Sequence, residues 1–407
     1  MDILKKRWIY VLSGFAVFLF LGVSLAWSIF VVPIETLFGW SRSTTSLAFT
    51  INILCFSVGS IAAGILSNRV SYSNLLKLAA IILCLGFIGT SLIATPWQLY
   101  LTYGVVVGTS IGMGYNCILS TVPTWLPEKS ATATGILLMG YALSTAIFGP
   151  ILNSLISSVG IVATFRILAI VCGAGIFIGS FMIRKPTIQE MDQLPTASGG
   201  SGNTSSVDVD TAGMIKKPIF WVYFLLSTMF AGGGMAIVNH ASPMLTEGLA
   251  VTSAFAATVV SMTSITNGVA RFLWGMIYDK LGIVKSIIII GAIYVVSSVG
   301  MVISFTAGNT VLFIASICLL MLTYAGNAVT IPSITRGLFG NKNFSLNYSV
   351  VGINAVLISF FPTIIGNVQV ATGTYTLPLI IILGIAIGAA VVAMLMIALY
   401  KKDYSKA

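Results

Sequence analysis

Residues 265–282 read ITNGVARFLWGMIYDKLG. This stretch places a single arginine, Arg271, in an apolar run: residues 251–270 hold no Lys, Arg, Asp or Glu, and the next charge is Asp279. About 20 apolar residues are the length that an α-helix needs to cross a bilayer. The stretch therefore predicts a membrane-spanning helix that contains one cation and ends in a short charged loop.

The composition of the whole chain agrees with a bilayer as its solvent. Of the 407 residues, 57% are hydrophobic and only 7% are charged, whereas a soluble protein has about 25% charged residues. The five cysteines all lie in apolar stretches without a CxxC pair, which predicts packing residues rather than redox or metal chemistry. Lys5, Lys6 and Arg7 precede an apolar run long enough to span, so no cleavable signal peptide is expected.

Similar apolar runs recur along the chain on both sides of Arg271. We expect them to be α-helices, because backbone polar groups find no water in lipid. The twelve predicted spans are residues 8–32, 44–67, 75–95, 98–122, 131–153, 160–183, 218–244, 251–278, 284–306, 309–332, 346–370 and 376–400. Residues 184–217 are rich in Ser, Thr, Gly and Asp, as flexible linkers are. The prediction is an all-α membrane protein with six-helix bundles at 1–183 and 218–407, joined by a cytoplasmic linker at 184–217.

The positive charges predict the orientation in the membrane. Most of the 20 Lys and Arg residues lie in the termini, the linker and the loops of one side, and cytoplasmic loops carry this excess. We expect a multi-pass protein of the plasma membrane with both termini in the cytoplasm. The net charge of +10 is explained in this way, so a nucleic-acid partner is not expected. The expected partners are the lipid bilayer and a small substrate, and the expected state is a monomer.

A weak repeat relates the two halves. GILSNRVS, residues 64–71, follows the second span, and GMIYDKLG, residues 275–282, follows the eighth. Two bundles related by a repeat are the architecture of transporters that rock around a central site.

The second copy of this repeat resembles the loop motif of the major facilitator superfamily. The residues that carry the resemblance are Gly275, Asp279, Lys280, Gly282 and Lys285, with Arg69 in the first copy. In that family the Asp caps a neighbouring helix and the cations latch the two halves on the cytoplasmic side. The first copy departs from the motif, because Asn68 replaces the Asp and Ser71 replaces the Gly. This departure weakens the expectation of a charge-based latch in the first copy, although Arg69 stays a candidate residue of the gating motif.

A closer resemblance, over nearly the whole chain, is to the oxalate/formate antiporter group and the related monocarboxylate transporters. It is carried by Trp27, Pro33, Gly112, Gly114, Tyr115, residues 125–129 (WLPEK), Gly140, Tyr141, Asn239, Pro243, Asn267, Gly268, Arg271, Trp274, Gly275, Thr323, Tyr324, Pro332, Ser333, Phe339, Gly340, Asn347 and Tyr348. The resemblance implies a small organic anion as substrate.

Three roles are open for Arg271. The side chain could snorkel to the interface, which is about 10 Å away at seven residues from the predicted end of the span. It could form a structural ion pair, although none of the ten acids lies near the middle of a span. It could bind the substrate carboxylate with its planar fork of donors, as the residue at this position does in the resembling family. We favour the third role.

Two neutral residues narrow the expected substrate. Asn267 lies one turn before Arg271, where many monocarboxylate transporters hold an Asp linked to proton coupling; an amide cannot carry that proton. The antiporter group has a Lys in the eleventh span, and the matching position here is Ala355, beside Asn354. One fixed positive charge suits one carboxylate, because burying a second negative charge alone costs several kcal/mol.

The remaining candidates are aromatic and titratable residues. Trp27, Tyr115, Tyr141 and Tyr324 are expected to wall the substrate cavity, with packing or lipid-interface roles as the alternative. Tyr348 and Asn354 are further candidates for substrate binding. His240, the only histidine, could carry a coupling proton or lie at the outer end of its helix.

The predicted function is secondary transport of a small monocarboxylate, such as lactate, pyruvate or formate, by proton symport or anion exchange. The alternatives are a dicarboxylate antiporter, which needs a second cation, and a drug exporter, whose site usually offers a buried acid. An enzyme is not expected, because the sequence shows no Ser/His/Asp set and no nucleotide loop. No cofactor or metal is expected either, and a receptor would need a larger soluble domain than residues 184–217 provide.

Overall fold

The computed structural model describes residues 3–195 and 208–404. Within these residues the secondary structure is helical and contains no β-strand. The described part of the chain has ten helices that are long and apolar enough to cross a membrane. They are α1 (Lys6–Phe38), α2 (Ser43–Leu66), α3 (Tyr72–Thr90), α4 (Pro96–Trp125), α5 (Pro127–Ser180), α6 (Pro218–Gly248), α7 (Ser253–Thr306), α8 (Thr310–Phe339), α9 (Phe344–Thr372) and α10 (Thr376–Asp403).

Helices α5 and α7 are each long enough for two spans, and a glycine divides each of them. Gly160 in α5 has φ 81° and ψ 165°, and Gly282 in α7 has φ 72° and ψ −173°. Glycine adopts positive φ without the steric cost that a Cβ imposes. With α5 and α7 counted as two spans each, the described residues contain the twelve spans that the sequence predicts, and the all-α fold class is confirmed.

Two of the remaining helices are interrupted. In α1, a 3₁₀ turn at Gly22–Ala26 separates the helix that ends at Leu21 from the segment Trp27–Phe38. In α9, the segments are Phe344–Gly352, Asn354–Ile358 and Phe361–Thr372. Discontinuous helices often line the substrate sites of transporters, so these breaks point to functional positions.

The chain divides into two compact units. The first consists of Met1–Thr196 and Phe344–Gly352, and the second of Ala197–Asn343 and Ile353–Ala407. Helix α9 therefore contributes its first segment to one unit and the rest to the other. The bundle boundaries predicted at 183 and 218 stay a prediction.

The start of the predicted linker is held against the first unit. Arg184 forms two hydrogen bonds with the Glu190 carboxylate, at 2.6 and 2.7 Å, and its guanidinium lies 4.9 Å from the Trp125 ring centroid. The hydrogen bonds from Arg184 and from the Thr187 backbone lower the pKa of Glu190 to about 2. Trp125 Nε1 in turn donates to the Arg184 carbonyl at 2.7 Å. These contacts order the beginning of the segment, although residues 196–207 of the predicted linker lie outside the described residues.

The end of the linker contacts the second unit. A short helix forms at Thr211–Lys216. Just before it, the Val209 N–H donates to the Phe339 carbonyl at 3.0 Å, and the Asp208 carboxylate accepts from the Lys342 N–H at 3.0 Å. Flexibility of the segment as a whole stays a prediction.

Close packing in the first unit depends on glycine. A Cβ on Gly112 of α4 would overlap the Phe56 carbonyl of α2, and a Cβ on Gly59 of α2 would overlap the Thr109 carbonyl of α4. Small residues allow helix backbones to approach closely where lipid offers no hydrophobic driving force. The pairing of α2 with α4 therefore depends on these glycines.

Candidate functional site

Arg271 lies inside the second unit on the first half of α7. The residue is only 8% exposed. At 1.5 Å per residue, it lies about 16 Å along the helix from the break at Gly282. This burial favours an interior role over a lipid-facing one.

Asn267 orients the guanidinium. Its Oδ1 accepts a hydrogen bond from Arg271 Nε at 3.4 Å, because residues four apart on a helix lie on the same face. Asn267 is half-buried. The pairing that the sequence suggests is therefore present, with the amide acting on the guanidinium as a neutral acceptor.

Tyr324 lies on α8 of the same unit and contacts α6. Its hydroxyl donates to Met235 Sδ at 3.7 Å, and a Cβ on Gly234 would come within 2.6 Å of Tyr324 Cβ. The hydrogen-bonded pair at this site is therefore Arg271 with Asn267, and a role for Tyr324 in substrate binding stays a prediction.

Asn354 belongs to a buried polar cluster of the same unit. It is 3% exposed, and its Nδ2 donates to Ser227 Oγ at 2.9 Å. Asn327 Nδ2 donates to the Ser227 carbonyl at 3.1 Å. The cluster joins α6, α8 and α9. Sequence reasoning selected Asn354 but missed Ser227 and Asn327, although polar residues in apolar spans are a usable signal.

In the first unit, Tyr115 and Tyr141 pack together. Their rings meet edge to face, with centroids 5.3 Å apart. Phe18 lies 5.0 Å from Tyr115 and 5.8 Å from Tyr141, and Phe56 lies 5.2 Å from Tyr115. Both tyrosines are half-buried. The sequence pointed to the tyrosines, but the two phenylalanines carry no polar group that would distinguish them from core residues.

Trp27 is held by a different set of contacts. Its ring stacks on Tyr103 with centroids 4.0 Å apart, and its Nε1 donates to the Thr45 carbonyl at 3.2 Å. The residue is 4% exposed. The indole N–H therefore has a structural partner, which fits the packing alternative for Trp27.

Tyr348 lies in the α9 segment of the first unit. Its ring stacks on Phe344 with centroids 5.5 Å apart, and the residue is 8% exposed. Tyr348 therefore belongs to the same compact unit as Tyr115 and Tyr141, whereas Asn354, six residues later, belongs to the same unit as Arg271.

His240 contacts α9 within the second unit. Its Nε2 lies 2.9 Å from the Pro362 carbonyl, its ring centroid is 6.1 Å from that of Tyr375, and a Cβ on Gly366 would lie 3.2 Å from its Cε1. These contacts place the imidazole of His240, a residue of α6, against α9. A role in proton coupling stays a prediction.

The predicted gating motif forms the loop at the middle of α7. Gly282 supplies the positive φ that turns the chain there. Gly275 is buried, Asp279 is half-buried, and Lys280 and Lys285 are exposed. The backbone conformation therefore explains why the motif has a glycine at position 282, while the latching role of the charged residues stays a prediction.

The matching loop of the first half is built differently. Ser71 has φ −63°, and its hydroxyl caps α3 by accepting from the Asn74 N–H at 3.3 Å. Arg69 and Asn68 are exposed. The replacement of Gly by Ser changes the loop from a positive-φ turn to a helix N-cap, a position that serine favours.

No group of three or more His, Cys, Asp or Glu residues that could hold a metal ion occurs among residues 3–195 and 208–404.

A sequence model described as the Major Facilitator Superfamily matches residues 12–353 of this chain. The chain belongs to the major facilitator superfamily. It is therefore a multi-pass membrane transporter rather than an enzyme.

Its similarity to individual relatives is distant but long. It is 26% identical over 348 residues to the uncharacterized MFS-type transporter YhjX of Escherichia coli K12, covering 85% of this chain and 84% of the relative. It is 24% identical over 347 residues to the oxalate:formate antiporter of Oxalobacter formigenes, covering 85% and 81%. It is 25% identical over 314 residues to human monocarboxylate transporter 10, covering 74% and 59%. The resemblance found in the sequence is confirmed.

Solved structures agree on the fold. The transporter FucP in the outward conformation matches with a TM-score of 0.73 at 13% identity, covering 96% of this chain and 99% of FucP. The proton:xylose symporter XylE matches with a TM-score of 0.73 at 14% identity, covering 99% and 96%. At this identity the likeness concerns the fold alone.

Proposed function

We propose that this transporter carries a small organic anion with a single carboxylate, such as lactate, pyruvate or formate, by alternating access. The observation that carries the proposal is Arg271, a buried guanidinium on a spanning helix that is oriented by Asn267. A guanidinium remains charged at every physiological pH and offers parallel N–H donors that match the two oxygens of a carboxylate. Charge and shape at this position both favour an organic anion.

The number of fixed charges favours one carboxylate over two. Residues 346–370 contain no Lys or Arg, and Ala355 occupies the position of the Lys in the antiporter group. The neighbouring Asn354 is buried and bonded to Ser227. A second substrate carboxylate would find no cation on this span, and burying a carboxylate without a cation costs several kcal/mol.

Two relatives are named for carboxylate transport, which supports an organic anion: the oxalate:formate antiporter and monocarboxylate transporter 10. The former also makes a dicarboxylate antiporter the second candidate function. The plasma membrane, cytoplasmic termini and a monomeric state belong to the same proposal.

The residues beside Arg271 limit how substrate transport is coupled to the movement of a proton or a second anion. Asn267 cannot carry a proton, so the cycle either exchanges one anion for another or uses a different group for proton symport. His240, half-buried between α6 and α9, is the candidate for that group.

The test is uptake by purified protein in liposomes. Labelled lactate, oxalate and a lipophilic cation are compared for the native chain, Arg271→Gln and Arg271→Lys. We expect lactate uptake that falls at least tenfold in Arg271→Gln, since loss of one charge-assisted hydrogen bond is worth about 1.5–3 kcal/mol. Arg271→Lys should recover part of it, because the charge is kept and the fork is lost.

Arg166→Gln is the control for loss of an arginine elsewhere, because Arg166 is an exposed residue of the first unit whose Nε donates to Ser91 Oγ at 3.3 Å. Oxalate exchange as fast as lactate uptake would overturn the single-carboxylate proposal. Lactate uptake that is unchanged in Arg271→Gln would overturn the role of the arginine, and uptake of the lipophilic cation alone would identify a drug exporter.

A further inference from the structure

The first segment of α9 is exceptional because it packs with the half of the chain to which it is not adjacent in sequence. Phe344–Gly352 belongs to the first compact unit, while the residues on both sides of it, up to Asn343 and from Ile353, belong to the second. The helix is interrupted at Ile353, where the unit changes. A nine-residue helix is thus set between two backbone breaks.

An uncharged hydrogen-bond network holds this segment in the first unit. Asn116 of α4 is fully buried, and its Nδ2 donates to the Ser345 carbonyl at 2.9 Å and to Ser349 Oγ at 2.5 Å. Its Oδ1 accepts from Ser345 Oγ at 2.5 Å and from Ser120 Oγ at 2.9 Å. On α2, the Ser60 carbonyl accepts from Ser349 Oγ at 2.8 Å and from Asn116 Nδ2 at 3.1 Å. One amide therefore ties three helices together.

Close backbone approach accompanies the network. A Cβ on Gly64 of α2 would lie 2.9 Å from Leu346 Cα and 3.2 Å from the Ser345 carbonyl oxygen. Real Cβ atoms avoid such distances to backbone atoms, so only glycine fits without a shift of the segment. Gly64 is also the first residue of the first-half repeat, whose acidic position is the neutral Asn68.

The chemistry of the network suits a contact that opens and closes. Buried hydroxyl and amide groups exchange their partners for water at a small net change in free energy, whereas a buried ion pair must be resolvated as charges. All four members are uncharged, and each of Asn116, Ser60, Ser345 and Ser349 is at most 5% exposed.

We propose that Asn116, Ser60, Ser345 and Ser349 form a neutral latch that holds the Phe344–Gly352 segment in the first unit during one state of the transport cycle and releases it in another. The latch depends on the chain being a transporter and not on the identity of the substrate, so it stands or falls independently of Arg271.

Hydrogen–deuterium exchange of the full chain in lipid nanodiscs tests the latch. Asn116→Leu removes the amide at nearly constant volume, and Ser349→Ala removes one hydroxyl with little risk to folding. We expect amide exchange in peptides covering Phe344–Gly352 to rise roughly tenfold in Asn116→Leu and by a smaller factor in Ser349→Ala, since one net hydrogen bond shifts an opening equilibrium by up to about this factor.

The control is Asn52→Leu. Asn52 is another buried amide of the first unit, and its Nδ2 donates to the Tyr103 carbonyl at 2.8 Å rather than to the segment. The Asn52→Leu variant should show hydrogen exchange of Phe344–Gly352 at the native rate. Raising NaCl from about 0.05 M to about 0.5 M should also leave that rate unchanged, because screening acts on charges.

Three results would overturn the latch. The first is native exchange of the segment in both Asn116→Leu and Ser349→Ala; if Asn116→Leu does not fold, Ser349→Ala decides alone. The second is slow exchange of Phe344–Gly352 in the native chain, equal to that of residues 111–121 of α4, both with and without lactate. That result would mean that the contact does not open. The third is a marked rise of exchange with salt, which would make the contact ionic.

Discussion

Replacement of Asn267 by Asp should weaken substrate binding, because the introduced carboxylate would compete with the substrate for Arg271. The Asn267 Oδ1 lies 3.4 Å from Arg271 Nε, so a carboxylate there would sit against the guanidinium. At an effective dielectric constant of about 20, two unit charges at this separation attract by about 5 kcal/mol. Desolvation of the new carboxylate offsets part of this attraction. A net gain of only about 1.4 kcal/mol would still reduce substrate affinity tenfold, because the substrate must displace the new ion pair.

The assay is the KM for labelled lactate in proteoliposomes at about pH 7.5 and about pH 5.5, both above the pKa of an ordinary Asp carboxyl. We expect Asn267→Asp to raise KM at least tenfold at both pH values, because the adjacent guanidinium keeps the introduced carboxyl ionised. Asn267→Leu removes the orienting amide without adding a charge, and its KM should rise by a smaller factor.

Asn239→Asp is the matched control for an added charge on a spanning helix. Asn239 is exposed, and its Nδ2 donates to the Met235 carbonyl at 2.9 Å. Its KM should follow that of the native chain at both pH values. An Asn267→Asp variant with native KM at about pH 7.5 would refute the reasoning, because Arg271 could then not be the group that binds the carboxylate.

Two further predictions concern the architecture. Glu190→Gln should speed tryptic cleavage after Arg184 near neutral pH, and cleavage unaffected by the substitution would contradict the anchoring role. The ion pair itself should be fully formed above about pH 4.5 and be lost as the pH falls through the Glu190 pKa of about 2, since it needs the ionised carboxylate; an NMR titration of the Glu190 carboxyl measures this. Gly112→Ala should lower the melting temperature in detergent by several degrees, because its Cβ meets the Phe56 carbonyl, with a cost of about 1–3 kcal/mol. Gly384→Ala, where a Cβ meets nothing within 4 Å, should be neutral or stabilising.

The fold class and the twelve spans could be predicted from the amino-acid sequence. In lipid, every spanning segment must satisfy its own backbone hydrogen bonds, so apolar length alone predicts a helix. Gly282 could also be assigned to a turn from its position in the loop motif. Arg271 with Asn267 was recognisable for a similar reason, since a four-residue spacing fixes two side chains on one helix face.

The contacts between side chains of different helices could not be predicted from the sequence and became visible in the folded chain. The sequence around Asn116 does not indicate that this residue bonds to Ser349, which is 233 positions away. Nor does the sequence around Ser227 indicate its hydrogen bond with Asn354, which is 127 positions away. The same holds for the stack of Trp27 on Tyr103 and for the place of Phe344–Gly352 in the first unit. A helix forms from local hydrogen bonds that the local sequence encodes, whereas helix partners in a membrane are chosen by shape and by buried polar pairs, which only the folded chain brings together.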